Sequence, residues 1–309
     1  MADDKEKKDK EKDELEEYIM ALVMLYVAAN EEYINMIVKN LELTDAEKAG
    51  AVSMTTMLNR VNSLTTTLKN SGKSGTNTAI KNAYDLGYAN ALYELGKIES
   101  IKKGMSDVKY TDEQQAVLDK LMTDTYNDLL VATKYMSEAS KKFIRVKTSQ
   151  VMQIKSALRQ GNRQLVRTLM YGFTESALAR DAARQGFTGI VDKAGRKWNL
   201  QTYAEMVVRT KLTQAHIQGT SKCGQELGYH LYIISSHNAI DACINWEGEI
   251  ITIGEKIEGY YSYEELAESG EIWHPNCKHH LTPISDDAAS KHLSRRGKRA
   301  TLKPKKKKK

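Results

Sequence analysis

Proline is almost absent from this 309-residue chain. The only prolines are Pro275, Pro283 and Pro304, so the first 270 residues have none. Proline removes a backbone donor and breaks a helix interior. Its absence, with abundant Ala, Leu, Met, Lys and Glu, favours a mostly helical body. Phenylalanine is equally scarce at three residues, whereas tyrosine numbers 16. Three cysteines with no close pair do not make a disulfide framework, and a reducing compartment fits them better. No Gly-rich phosphate loop, Ser–His–Asp order or paired-carboxylate motif stands out, which leaves the common enzyme signatures unsupported. The longest apolar run, Tyr18–Ala29, is too short to span a bilayer and reads as a buried helix face. The densely charged N-terminus does not read as a secretory signal. The expectation is a soluble cytoplasmic product with no membrane partner.

The formal net charge of +6 is unevenly placed. Ala2–Glu17 leans acidic, whereas all the charges in Arg295–Lys309 are basic. The stretch 291–309 is therefore expected to be a disordered basic tail. Its Arg295, Arg296, Lys298, Arg299, Lys303, Lys305, Lys306, Lys307, Lys308 and Lys309 are the candidate DNA contacts, with salt-dependent affinity and little sequence choice. The competing reading is a solvated tail with no ligand.

Residues 1–14, which mix acid and base without an apolar face, are expected to be a disordered or frayed lead-in. From Leu15 to Ile37 the apolar residues fall at helical spacing. Thr44-Asp45-Ala46-Glu47 is a capping box that should open a second helix to about Lys69. Ser71–Thr78 reads as a loop, and Ile80 to Leu95 as a third helix with Gly96 as its C-cap. Thr111-Asp112-Glu113-Gln114 is another capping box, and its helix should run to a break near Gly161-Asn162. One more helix precedes Gly186. The apolar Tyr and Met stripes of 15–185 are core packing, and nothing in them resembles a catalytic group. This region is expected to offer helical surface to other subunits.

The pattern changes at Gly186. Gly189–Asp192 and Arg196–Trp198 flank a Gly-containing turn, which signals a hairpin. Asn199 can cap a helix ending near Gly228. Tyr229–Ser235 and Glu249–Ile253 are β-rich, Tyr263–Glu268 fits a short helix, and Lys278–Ile284 fits a last strand. The fold class is a mainly α N-terminal half with a small α+β C-terminal module at 186–290, and the linker falls near Gly161 or Gly186.

Ser235–Pro283 concentrates the chemistry-bearing residues: His237, His274, His279, His280, Cys243 and Cys277. Thiolate sulfur and imidazole nitrogen suit a tetrahedral zinc site. Cys243, His274 and Cys277 are the best set, with His237, His279 or His280 as a fourth ligand. The spacing His274-x-x-Cys277 allows one tight turn to aim both side chains at one ion. The other reading is a packed, metal-free cluster in which cysteine is a small buried hydrophobe. The same region also holds the residue types of a metal-dependent nuclease, in His274, Asn276, His279 and His280. Their spacing is too compressed to separate a general base from a metal ligand.

Ser235-Ser236-His237, Cys243-x-x-Trp246-x-Gly248 and His274-Pro275-Asn276-Cys277-Lys278-His279 together resemble the closing signature of phage minor capsid protein 2, a family related to the Mu F-like head morphogenesis proteins. Asp192–Trp198, Tyr203–Thr210 and Gly228 stand in the right order upstream. The resemblance covers roughly Gly186 to Ile284. Two positions depart from it: Ile240 stands where a further Cys is common, and Lys278 where Arg is usual. The resemblance implies a structural and assembly role in a tailed phage or prophage rather than an enzyme. It implies association with the portal protein and other head proteins, and a place in the virion at the capsid interior or portal vertex. Arg209, Thr210, Ser236, Trp246, Gly248, Pro275 and Asn276 are the structural motif residues it picks out. The alternatives are a metal-dependent nuclease acting on phage DNA and a DNA-binding head protein.

Overall fold

The computed structural model describes residues 2–186, 188–191, 195, 197–296 and 300–302. Lys298, Arg299, Lys303 and Lys305 to Lys309, expected as DNA contacts, lie outside the described residues, as does most of the turn expected at Lys193–Gly195. Arg295 and Arg296 fall in the last turn of a helix. The helices are α1 (Ala2–Leu41), α2 (Met54–Glu94), α3 (Ile101–Ser106), α4 (Asp112–Arg159), α5 (Arg163–Met170) and α6 (Glu175–Gly186). A hairpin of β1 (Thr188–Val191) and β2 (Lys197–Asn199) leads into α7 (Leu200–Glu226). Then come β3 (Leu231–Ile234), β4 (Ile250–Thr252), β5 (Tyr261–Ser262), α8 (Tyr263–Ser269), β6 (Leu281–Ile284) and α9 (Asp286–Arg296). A mainly α N-terminal half and a small mixed sheet with helices at the C-terminal end match the fold class read from the sequence.

The lead-in, read as disordered or as a frayed start to a helix, lies in α1 from Ala2; Asp3–Asp13 holds no Gly or Pro, and its Glu and Lys are good helix formers. Two local expectations need correction. The Thr44 box is followed only by a 3-10 segment, Ala46–Ala51. α2 starts at Met54, where Ser53 Oγ accepts from the Thr56 amide (3.3 Å). The expected loop at Ser71–Thr78 lies inside α2. Its glycines serve close packing instead of a turn: a Cβ on Gly72 would sit 2.6 Å from Tyr26 Oη, and one on Gly75 would sit 3.2 Å from Leu22 Cδ1.

Other local signals are realised. Gly96 takes φ +65°, and Lys97 N donates to Leu92 O (2.9 Å), closing α2. Thr111 and Gln114 form the reciprocal box that opens α4 (2.7 and 3.3 Å). Gly161 (φ +67°) ends α4, and Asn162 Oδ1 caps α5 through the Leu165 amide (3.0 Å). Asn199 Oδ1 accepts from the Thr202 amide (2.7 Å) at the start of α7.

The chain forms two compact units that interleave along the sequence. One unit is Leu22–Gly75 with Tyr126–Ala204. It buries Val23, Tyr26, Tyr33 and Ile37 of α1, Met57 and Val61 of α2, and Met136, Phe143 and Ile154 of α4. Lys147 is buried here; its Nζ donates to Gly172 O (3.1 Å) and pairs with Asp181 (2.9 Å). By length and composition Glu14–Leu41 could cross a membrane. Within it Leu22, Val23, Tyr26, Ile37 and Leu41 are buried in the protein.

The other unit is Met1–Ala21, Thr76–Thr125 and Glu205–Lys309. Here the C-terminal half of α2 meets α7 backbone to backbone. A Cβ on Gly87 would fall 2.7 Å from the His216 carbonyl carbon, and one on Gly219 would fall 2.9 Å from the Tyr84 carbonyl carbon. Thr220 Oγ1 donates to Gly87 O (3.0 Å) across this crossing. The sheet order is β5-β4-β3-β6, with β3 antiparallel to both neighbours and β4 parallel to β5. Side chains alternate along β3. Tyr232 and Ile234 join the core of Ile217, Trp246, Ile251 and Leu266, whereas Leu231 packs with Ile250 and Ala289 of α9. The sheet is therefore covered on both faces, and the loops at one end of β3 and β6 carry the Cys and His residues.

Candidate functional site

The site is built from two segments. After β3 the chain turns into a 3-10 segment, Ala242–Trp246, capped by Asp241, whose Oδ1 accepts from the Cys243 amide (3.0 Å). This cap fixes Cys243 at the start of the segment. Trp246 is fully buried, and its Nε1 donates to Glu271 Oε2 (3.2 Å). Gly248 takes φ +71°, and its amide donates to Ile234 O (2.9 Å), returning the chain to β4.

The second segment is the turn before β6. Trp273 and Asn276 both have positive φ (53° and 70°), and Cys277 N donates to His274 O (3.0 Å). Asparagine tolerates this left-handed conformation better than most residues. The exposed Pro275 offers its carbonyl to His274 Nδ1 (3.0 Å). Thr210 Oγ1 accepts from the Asn276 amide (3.3 Å) while donating to Met206 O (2.6 Å) in α7. The turn is thus held at the helix by one hydroxyl.

These segments bring Cys243, His274 and Cys277 together. Cys243 Sγ lies 3.0 Å from His274 Nε2 and 3.7 Å from Cys277 Sγ, and the three donor atoms all lie within 4.8 Å of one another. Both cysteines are buried and free. His274 Nε2 is also 3.2 Å from Asp241 Oδ2. Burial, and then the neighbouring Cys277 sulfur, push the Cys243 thiol well above its ordinary pKa.

His279 adjoins this trio. Its ring is fully buried, with Nδ1 3.2 Å from Cys277 Sγ and Nε2 3.3 Å from Glu247 Oε1. Burial lowers the His279 pKa, with a further push from His237 and opposition from Glu247. Glu247 Oε1 also accepts from the amides of His237 (3.0 Å) and Ala239 (2.9 Å). Burial raises the Glu247 pKa, but those amides and His279 outweigh it and hold the carboxyl below its usual range. The His237 ring packs against His279 at 4.2 Å between centroids with a 41° tilt, and with Glu247 these two form a second cluster of donor atoms within 4.8 Å.

The other predicted residues sit apart from the sulfurs. His280 donates its amide to Ser235 Oγ (3.0 Å), and its ring lies 5.6 Å from that of His216. Ser236 is exposed. Arg209, a motif residue of the resemblance, forms ion pairs with Glu16 (2.5 and 2.6 Å) and Glu205 (3.1 Å). The hydrogen bond from Arg209 lowers the Glu16 pKa, and that same bond raises the pKa of Arg209. Asp241 and Glu247, which orient the donors, escaped the sequence reading. The available signal was an acid two residues before Cys243 and another in the unassigned position between Trp246 and Gly248.

The arrangement offers two buried thiols, one buried imidazole and one partly exposed imidazole, with a ring nitrogen of each histidine tied to an oxygen of the same fold. A sequence model of a family described as phage minor capsid protein 2 matches residues 11–296, nearly the whole chain. No curated protein and no solved structure matches it.

Proposed function

The chain belongs to the phage minor capsid protein 2 family, so it is a structural protein of a phage head, and from that premise we propose that it acts at the portal vertex during head assembly. The observation that carries this reading is the extent of the match. It runs from residue 11 to residue 296, so the long helices and the small sheet module belong to one head-protein architecture. The location follows as the virion, reached through the host cytoplasm.

We assign the portal-facing contact to α5 and the turn after it. Among the described residues of α5 none is buried, and Leu165 and Tyr171 are exposed at 42% and 71%. Val166, Leu169 and Met170 are half-buried, so the exposed Leu165 and Tyr171 are the apolar surface left for a partner. Co-expression with the portal protein tests this. The wild-type chain should co-purify with it, and Leu165→Asp with Tyr171→Asp should abolish that without lowering the unfolding midpoint. Retention by the double variant would overturn the assignment.

The role is non-enzymatic in this reading. His274 and His279, which a nuclease would use on phosphate and water, are turned toward sulfurs and carboxylates of their own core. Plasmid cleavage with Mg²⁺, Mn²⁺ or Zn²⁺ that disappears in His274→Ala would contradict it. The basic residues from Arg295 to Lys309 contact packaged DNA through phosphates. A DNA mobility shift should weaken steeply with salt and vanish on deleting 297–309; an unchanged shift after deletion would remove this part of the proposal.

A further inference from the structure

We propose that Cys243, His274 and Cys277, completed by His279, bind one zinc ion that staples the loop after β3 to the turn before β6. The first argument is the sulfur separation. At about 2.3 Å per Zn–S bond, a tetrahedral edge between two sulfurs spans roughly 3.8 Å, and Cys243 and Cys277 stand 3.7 Å apart. That is far too long for a disulfide, whose sulfurs bond at about 2.05 Å.

The second argument is the state of the two imidazoles. A metal-binding histidine is normally held by a hydrogen bond from its other ring nitrogen to an oxygen, which fixes the tautomer. His274 makes that bond from Nδ1 to Pro275 O (3.0 Å), leaving Nε2 toward Cys243. His279 makes it from Nε2 to Glu247 (3.3 Å), leaving Nδ1 toward Cys277. Two histidines from one turn, oriented through opposite nitrogens, thus each face one of the two adjacent sulfurs. The nitrogen–sulfur approaches of 3.0 and 3.2 Å are hydrogen-bond distances. A nitrogen–zinc–sulfur edge is about 3.6 Å, so zinc entry draws His274 Nε2 back slightly from Cys243 as two thiol protons leave to solvent. His279 stands outside the trio that already gathers within 4.8 Å, and it is the ligand that must swing about Cys277 to complete the tetrahedron.

The donor set selects the ion. Two thiolates and two imidazoles suit zinc and exclude calcium and magnesium, which take oxygen ligands. Asp241, 3.2 Å from His274 Nε2, favours positive charge at this point. A cavity of about 180 Å³ lined by Thr210, Tyr263, Trp273, His274 and Cys277 gives the ion a way in. The staple links positions 31 and 34 residues apart, in a region whose strands are only two to four residues long.

The test uses the full chain purified under reducing conditions. Elemental mass spectrometry should find about one zinc per chain, as one tetrahedral site requires. Cobalt substitution should give thiolate-to-metal charge-transfer bands with the intensity of tetrahedral coordination. Cys243→Ser and Cys277→Ser should lose both signals, with far-ultraviolet circular dichroism confirming that the long helices persist. Glu247→Gln should keep the stoichiometry but weaken affinity about 10- to 100-fold, as removal of an orienting partner does. Titrating wild-type zinc release against thiol modification needs no variant and should show release after two thiols react. Failure to bind zinc or cobalt, zinc retained in both serine variants, or a metal-free Cys243–Cys277 disulfide would each overturn the proposal.

Discussion

Gly219→Ala should be among the most damaging single-methyl additions in this protein. The new Cβ would lie 2.9 Å from both the Tyr84 carbonyl carbon and the Tyr88 amide nitrogen, and closer still to Tyr84 O. Carbon atoms rest at about 3.5–4.0 Å, and backbone cannot rotate away as a side chain can. The α2 and α7 segments must therefore separate by roughly 1 Å, and a gap of that size forfeits a quarter to a half of the dispersion well for each atom pair. The same movement stretches the bonds from Thr220 to Gly87 O and between Asn90 and His216, each worth about 1 kcal/mol net. Alanine recovers about 1 kcal/mol of helix propensity over glycine. Overpacking of this kind costs about 1–3 kcal/mol or more, which leaves a net loss of about 3 kcal/mol. Gly172→Ala is the control, because its Cβ would meet only Lys147 Nζ at an ordinary 3.6 Å. Urea unfolding followed by tryptophan fluorescence reads the effect, since Trp246 is fully buried in the same unit as Gly219. A Gly219→Ala midpoint indistinguishable from that of Gly172→Ala would refute the close backbone crossing.

Three further outcomes follow from the same reasoning. His216 is buried, its Nε2 accepts from Asn90 Nδ2 (3.1 Å), and desolvation lowers its pKa from 6.5 to about 4. Its neutral form is favoured by folding, so its contribution is fully present above pH 6.5 and is lost as pH falls toward 4. At about 1.4 kcal/mol per tenfold the loss is about 3 kcal/mol, and the difference between wild type and His216→Gln in urea unfolding at pH 7.5 and 4.5 should show it. Ser262→Ala removes the Oγ that accepts from Glu265 N (3.1 Å) in the α8 capping box and should cost about 1 kcal/mol in the same assay. Asp181→Asn leaves the Lys147 ammonium buried without its carboxylate; a loss of about 2 kcal/mol is expected, below the range for fully buried pairs because Asp181 is partly exposed.

The helices and strands of this fold were legible wherever local chemistry decides them. Gly96, Gly161, Asn162, Thr111 and Asn199 act at helix ends as their side chains predict, and β3, β4 and β6 sit where β-branched and apolar residues cluster. The sequence misled where tertiary packing reverses a local signal. Gly72 and Gly75 read as loop formers, yet they lie inside α2 because Tyr26 and Leu22 occupy the space a side chain would fill. Periodicity could not reveal that two interleaved units draw on the same long helices. At the site, residue types and the His-x-x-Cys spacing pointed to Cys243, His274 and Cys277, which the fold brings within 4.8 Å of one another. The roles of Asp241 and Glu247 were not legible, because isolated carboxylates carry no pattern until the turns bring them to the histidines. Arg209 found its partners in Glu16, 193 residues away, and Glu205, one helical turn away, and the distant pairing could not be read locally.

The central claim, that this chain is a structural component of the phage head, is tested most directly by quantitative mass spectrometry of purified, nuclease-treated particles of the phage that encodes it. The account predicts peptides from both the helical region and the sheet module at a fixed, low ratio to the major capsid protein, retained through gradient purification. Peptides confined to the soluble lysate and absent from both empty and DNA-filled particles would contradict it.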